Sequence, residues 1–428
     1  MQPNRKEVFV NFKVLLGAIL VVPWGGLYAQ QHESPPPTPL ATLLTEAEAN
    51  NSEVAAADDG WKALTHVAQQ VTALLDSRFT VESLSVGSPL PFAGLGGSEF
   101  AYMGLGHSQE VPWQEKLELK GKAADREAET QKANAEIVRF SVAEQVKLVY
   151  LRLSYTIATI AFLDRMDSIL RSLIQDALSR YGLGQGSRSA VIKAQLEHTR
   201  LLAEATMHDE EQWQEQAELK QLVHRPQDSP DIVTEPLTPT AFKTDPQELQ
   251  IQLRNRNPIL QMDARAVETR KAQLAAAQSD GKPDFNFGYM SQRTGGSYDK
   301  RYLLTASMDV PRSSRVAGEI AQAEEEANRA RHQLDSDVQQ KLAELQKQYV
   351  AVGSTTRLLD EYRQGLIPQA EAVYHTAQSS YQAGREEFGA VLSALLDLLV
   401  LENDHQQVLL DHETALARIE TLTGAALR

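Results

Sequence analysis

The chain has 428 residues, 42% hydrophobic and 23% charged, with a net charge of -15 and no cysteine. This composition is ordinary for a folded protein and excludes a disulfide framework, a thiolate metal site and a lipid-modified N-terminal cysteine. The acidic balance argues against a nucleic-acid partner, because no basic excess exists to displace phosphate counterions.

Residues 1–29 read as a secretory signal peptide. Arg5, Lys6 and Lys13 give a positive start, Val14 to Val22 is an apolar core, and Leu27-Tyr28-Ala29 can serve for cleavage. The apolar run is well short of the ~20 residues that span a bilayer, which argues against an uncleaved anchor. Residues 30–40 are a Pro-rich leader containing Ser34-Pro35-Pro36-Pro37, predicted to be extended.

A first repeat is expected over 41–224. It opens with a helix from about Ala41 to Leu75, with a candidate break at Asn50-Asn51-Ser52. Between about 78 and 112 the helical spacing stops. Gly87, Gly94, Gly96 and Gly97 lie between two short segments, Phe79-Thr80-Val81 and Phe100-Ala101-Tyr102-Met103, which predict two strands and a loop. Trp113 to Tyr181 is then helical, on the order of 100 Å long at 1.5 Å per residue. Its most apolar part, Val146 to Leu173, is cut by Lys147, Arg152, Asp164 and Arg165. The uncharged run Leu153 to Leu163 is too short to cross a hydrocarbon core. No transmembrane helix is therefore expected, and membrane crossing would fall to β-strands in a closed barrel.

The turn Tyr181-Gly182-Leu183-Gly184-Gln185-Gly186 stops that helix, and Ser187 to Val223 returns from it. The turn lacks the Lys-Ser/Thr and the preceding strand of a phosphate loop. Pro226, Pro230, Pro236 and Pro239 mark a linker over 225–244. A second repeat follows over 245–424. It begins with a helix from Pro246 to Ser279, then strands at about 283–292 and 301–310 around a turn-rich loop. Phe285, Phe287 and Tyr289 alternate on the first strand, and Tyr302, Leu304, Ala306 and Met308 on the second. Each strand is about long enough to cross a bilayer when tilted. A second long helix carries a stripe from Val316 through Ala327 and Leu345 to Val352. It stops at Tyr381-Gln382-Ala383-Gly384-Arg385-Glu386, and a last helix runs from Phe388 to about Leu422.

The two glycine turns lie 200 residues apart, and the match continues in register: Ala190 with Ala390, Val191 with Val391, Ala194 with Ala394, Leu201 with Leu401 and Leu222 with Leu422. A period this long marks a duplicated half, each half ending in an αα-hairpin. The fold class expected is mainly α with a small β part.

The layout of helix, strand hairpin, long helix, glycine turn and returning helix, given twice, resembles the TolC-type outer-membrane efflux channels, the outer-membrane factors of tripartite efflux pumps. Local strings that carry the resemblance are Asn257-Pro258-Ile259-Leu260, Lys282-Pro283-Asp284-Phe285, the Tyr381/Gly384 turn followed by Val391-Leu392, and Ala415-Leu416-Ala417-Arg418. The resemblance implies a homotrimer with a periplasmic α-helical barrel and a shared twelve-stranded transmembrane β-barrel, four strands per protomer. It implies a passive duct in the outer membrane extending into the periplasm, with a periplasmic adaptor (membrane fusion) protein and an inner-membrane pump as partners. Tyr181, Gly184, Val191, Tyr381, Gly384 and Val391 would lie at the periplasmic tip, where the adaptor docks. Phe285, Phe287, Tyr289 and Tyr302 would be the strand aromatics that meet outer-membrane lipid. Relatives carry an Asp ring one turn beyond the second tip. The matching positions here are Ala390 and Ser393, with Glu386, Glu387 and Asp397 the nearest carboxylates.

The residues alone leave a second reading open, a soluble periplasmic coiled-coil scaffold or adaptor. The ten His residues are scattered without an HExxH or a tight His/Asp cluster, so no zinc site is expected. His405 and His412, seven apart, are expected as surface residues. No nucleophile–base constellation points to an enzyme, and no cofactor motif is present.

Overall fold

The structure is a computed structural model that describes residues 36–184, 186–294 and 300–425. The signal peptide and most of the Pro-rich leader lie outside those residues, as do Gln185 of the first turn and most of the loop between the second pair of strands.

The first helical stretch is three helices rather than one: α1 (Leu40–Asn50), α2 (Ser52–Thr65) and α3 (Val67–Thr72). Asn51 makes the first break. It leaves helical geometry, and its side chain accepts from the N–H groups of Glu53 and Val54, capping α2. Strands β1 (Arg78–Leu84) and β2 (Tyr102–Val111) follow, then α4 (Gln114–Gly182) and α5 (Arg188–Leu222). The second repeat gives α6 (Pro246–Arg256), α7 (Pro258–Ser279), β3 (Asp284–Thr294), β4 (Lys300–Asp309) and α8 (Ser313–Glu361). A π-helical turn at Tyr362–Leu366 joins α8 to α9 (Ile367–Gln382), and α10 (Phe388–Thr423) closes the chain. Pro368 supplies the cause of that turn, since its ring cannot donate the next helical hydrogen bond. The corresponding part of α4 is unbroken.

Asn257 repeats the work of Asn51. It accepts from Ile259 and Leu260 N–H at 3.1 Å, capping α7. Each Asn then donates its side-chain amide to a carbonyl in the last turn of its own repeat's returning helix. Asn51 binds Leu222 O and Asn257 binds Leu422 O, both at 2.9 Å. The start of each repeat is thus fastened to its end. α10 and α7 meet there, and both pack between α4 and α8.

Four apolar clusters hold the helices among the described residues, the smallest joining α4 to α10 through Leu151, Leu410 and Ala417. One lies among α4, α5, α9 and α10 near the glycine turns, around Leu170, Val191, Tyr381, Val391 and Leu395. A second joins α1, α4 and α5 through Leu43, Val146, Leu153 and Leu219. A third joins α6, α7, α8 and α10 through Leu249, Leu253, Leu345 and Ile419. The segment expected as a linker is not a loose connection. Gln216 exchanges two hydrogen bonds with Ile232, Ser154 donates to Glu235 O at 2.6 Å, and Glu413 accepts from Thr240 N–H at 2.7 Å. Both repeats bind it.

α4 does contain a window of mean hydropathy 1.4, apolar and long enough to cross a membrane by composition. More than half of that window is buried inside the protein, against its neighbouring helices. Its apolar character is accounted for by the core.

Candidate functional site

Two regions stand at opposite ends of the long helices: the glycine turns and the sheet. At the first turn Leu183 N–H bonds to Ser179 O and Arg180 O, and Gly184 N–H to Tyr181 O at 3.0 Å. At the second, Gly384 N–H bonds to Tyr381 O at 3.0 Å and Arg385 N–H to Ser380 O at 2.9 Å. Gly184 and Gly384 have φ of 75° and 69°, a left-handed conformation in which a Cβ would be strained. Ser187 caps α5 by accepting from Ala190 N–H, whereas α10 begins after Glu387 without a side-chain cap.

The turns touch each other within one chain. Arg180 donates to Tyr381 O at 3.2 Å and Gln382 O at 3.4 Å, and its guanidinium stands 4.3 Å over the Tyr381 ring. Asp176, one turn before Arg180, pairs with it at 3.3 Å. Phe388 meets the Tyr381 ring edge-on at 5.7 Å. Burial and the Asp176 charge push the Tyr381 phenol above its ordinary pKa, with Arg180 pulling it down. A cavity of about 560 Å³ opens between the turns, lined by Gly184, Ser187, Ala190, Gly384, Glu386 and Glu387.

The expected tip residues therefore separate by role. Tyr381 is 7% exposed and its repeat equivalent Tyr181 is 46% exposed. Val191 and Val391 are both buried between the hairpins, so what they do at the tip is pack it. Gly184 and Gly384 are exposed. Beyond the second turn Ser393 and Asp397 are exposed and Ala390 is half-buried, while Glu386 and Glu387 sit exposed at the turn itself.

At the other end the four strands form one antiparallel sheet in the order β1-β2-β3-β4. β2 of the first repeat pairs with β3 of the second, from Tyr102 opposite Thr294 to Val111 opposite Phe285. Register sorts the side chains onto two faces. One face carries the rows Phe79–His107–Tyr289–Leu304, Val81–Leu105–Ser291–Tyr302, Gln109–Phe287–Ala306 and Val111–Phe285–Met308. All four expected aromatics lie on it. Phe285 and Phe287 stack at 6.4 Å, Tyr289 and Tyr302 at 6.3 Å, and Trp113 joins Phe285 at 6.2 Å. The other face is more polar: it carries Glu82, Gln292, Arg301, Asn286, Ser307 and Thr305, interrupted by Leu84–Tyr102 and by Met290–Leu303.

Glycines make that polar face possible. A Cβ at Gly104 would stand 3.1 Å from the Gln292 side chain, and one at Gly106 3.2 Å from Thr80 Oγ1. At Gly288 it would collide with Thr305 Oγ1. These glycines also explain why the first strand pair shows weak alternation in the sequence. β2 runs to Val111, well beyond the four residues expected, and the chain at Phe100 and Ala101 is outside it.

Asp284 fastens the sheet to α4. Its carboxylate accepts from Trp113 N–H at 3.1 Å and from Lys116 at 2.8 Å. Among the described residues no group of three potential metal-ligating side chains converges. His412 is buried rather than on the surface as expected, held by Thr355 Oγ1 and Thr240 O, both at 2.9 Å. His405 packs 6.1 Å from the Tyr362 ring, and burial lowers its pKa.

The family model for outer membrane efflux proteins matches residues 249–425. The match spans nearly all of the second repeat. No curated protein sequence matches it. Among solved structures, the chain is similar to the outer-membrane channel OprN, at 15% identity and a TM-score of 0.78 over 90% of each chain. It is similar to VceC from Vibrio cholerae at 17% identity and a TM-score of 0.75, covering 91% of this chain and 97% of that one. The MtrE channel of Neisseria gonorrhoeae, solved in its open state, matches at 15% identity and a TM-score of 0.74, over 91% and 89%. At these identities the likeness is one of fold. It spans the first repeat as well as the second.

Proposed function

We propose that this protein is the exit duct of a tripartite efflux system. Three copies close one twelve-stranded barrel in the outer membrane and one helical cylinder across the periplasm. The observation that carries the reading is the sheet. Its edge strands β1 and β4 are each paired on one side only, one face is mainly apolar and aromatic and the other mainly polar, and every residue of β4 is exposed. An open edge with an apolar face is tolerated in lipid only when another strand completes it, and four strands are too few to close around water.

The apolar face with Phe285, Phe287, Tyr289 and Tyr302 meets lipid, and the Gly104, Gly106 and Gly288 face lines the passage. The glycine turns form the periplasmic tip. There the cavity between the hairpins receives a periplasmic adaptor, and an inner-membrane pump supplies the energy. The chain itself is a passive conduit and not an enzyme. The exposed carboxylates Glu386, Glu387 and Asp397 favour cations in the entrance electrostatically.

The test is single-channel conductance of the detergent-purified mature protein in a planar bilayer, after its mass in detergent has been measured. A trimer with discrete conductance steps is expected. A soluble monomer or dimer without conductance overturns the duct and leaves a periplasmic scaffold, with the glycine turns as its docking tips.

A further inference from the structure

Two carboxyl groups meet where nothing in the duct reading requires them. Asp263 lies on α7 and is 8% exposed, and its Oδ2 has no hydrogen-bond partner. Asp337 of α8 faces it. Two ionised carboxylates accept only, so neither satisfies the other, and a buried unpaired charge is costly. A single proton changes this. One carboxyl then donates to the other, and the orphaned oxygen gains a role.

We propose that buried Asp263 and half-buried Asp337 form a proton-binding site that clasps α7 to α8 when it holds one shared proton and loosens when it loses it. The surroundings favour this. On α7 the positions one turn either side of Asp263, Leu260 and Val267, are apolar and buried. On α8, Asp337 accepts from Gln333 at 3.0 Å, and Lys341 is the cation that faces the pair. Lys341 is divided, because it also acts on Glu144 of α4, together with Arg418 and Lys147. The hydrogen bond of Thr130 to Thr269 sets the α4–α7 register. At the level of Asp263, α4 then brings buried Ala133 and Ala135, and Glu136, which is paired with Arg139 at 2.7 Å. No second cation from α4 answers the pair among the described residues.

Burial, the bond to Asp337 and its charge push the Asp263 pKa up to about 6, against the pull of Lys341. An unfolded Asp titrates near ~3.9. Between about pH 4 and pH 6 the folded protein therefore holds a proton that the unfolded chain has released. The contribution of this site to stability falls as pH rises through that window and is lowest above it. The site acts opposite to an ion-paired carboxylate, which stabilises at neutral pH.

The test compares thermal melting of the detergent-solubilised full-length protein and its Asp263→Asn variant from pH 5 to pH 7.5. Asn keeps the shape and supplies the missing donor without a proton. The variant should match the wild type at pH 5 and melt a few degrees higher at pH 7.5. Asp337→Asn should do the same, and it decides the matter if Asp263→Asn fails to assemble. Asp335→Asn, an exposed neighbour on α8, should follow the wild type throughout. Infrared difference spectra at pH 5.5 should show a protonated-carboxyl band that both Asn variants lose. Parallel melting curves for wild type and variants across the whole range, or no such band, overturn the proposal.

Discussion

The two glycine turns began as copies and no longer do the same thing. In the first, Tyr181 points away and is exposed; in the second, Tyr381 is enclosed by Arg180, Phe388 and the hairpin core. The position equivalent to Arg180 in the second copy is Ser380, which cannot return the contact. The junctions at the other end of the returning helices have kept their chemistry instead, with Asn51 and Asn257 making matching bonds. A duplicated half retains what closes its own backbone. It diverges where one copy must face the other, because two identical surfaces cannot each be the socket of the other within one chain.

The largest expected effect breaks the comparison at the tips. Tyr381→Ala removes a buried ring and should destabilise the folded protein by about 3–5 kcal/mol, while Tyr181→Ala stays within about 0.5 kcal/mol. Equal effects in denaturant unfolding would mean that the two tyrosines share an environment. Next comes the sheet, where the halves should agree. Phe287→Arg in the second half and Val81→Arg in the first each put a charge on the apolar face, at about 2–4 kcal/mol near the bilayer midplane. Ser307→Arg on the polar face should leave insertion intact, as measured by the yield of folded trimer in outer membranes.

The junctions should agree as well. Asn51→Ala and Asn257→Ala each lose a helix cap and strand a carbonyl, for about 2–3 kcal/mol apiece. The double variant should be additive if the repeats are independent there. A cost at one site alone, in the same melting assay, would show that the junctions are not equivalent. The smallest loss expected from removing a contact is that of Arg180→Ala, about 1 kcal/mol, the size of a partly exposed cation–π contact with two weak hydrogen bonds. Its sharper readout is the Tyr381 phenol. Losing the guanidinium should raise that pKa further, seen in the ultraviolet titration of tyrosinate.

Much of this was legible in the sequence, for physical reasons. The long helices announce themselves by stripes of step 3 and 4, the turns by glycine, β3 by the alternation of Phe285, Phe287 and Tyr289, and β4 by that of Tyr302, Leu304, Ala306 and Met308. Asn257-Pro258 was visible as a motif, but its bond to Leu422 was not, since nothing local in the chain points to a partner 165 residues away. The same holds for Arg180 over Tyr381 and for the Asp263–Asp337 pair, which lie on different helices. β2 was half hidden because its polar face is made of Gly104 and Gly106, which hydropathy patterns do not score. The apolar centre of α4 and the Pro-rich 225–244 segment carried correct composition with an incomplete meaning. One is core, and the other is bound along its length.

The junction at Asn257 has a mechanical side. α4 runs as one covalent rod from the sheet to the tip, and α8 with α9 makes another. Between them α10 and α7 form a spliced stave, joined end to end by hydrogen bonds and by the attraction of one helix's terminal carbonyls for the next helix's N–H groups. α5 and α2 are spliced in the same way at Asn51. Axial load passes through the unbroken rods, whereas torsion can be taken up at the splices, where no peptide bond must turn. A wall built of alternating rods and splices resists stretching along its length and yields to twist about it.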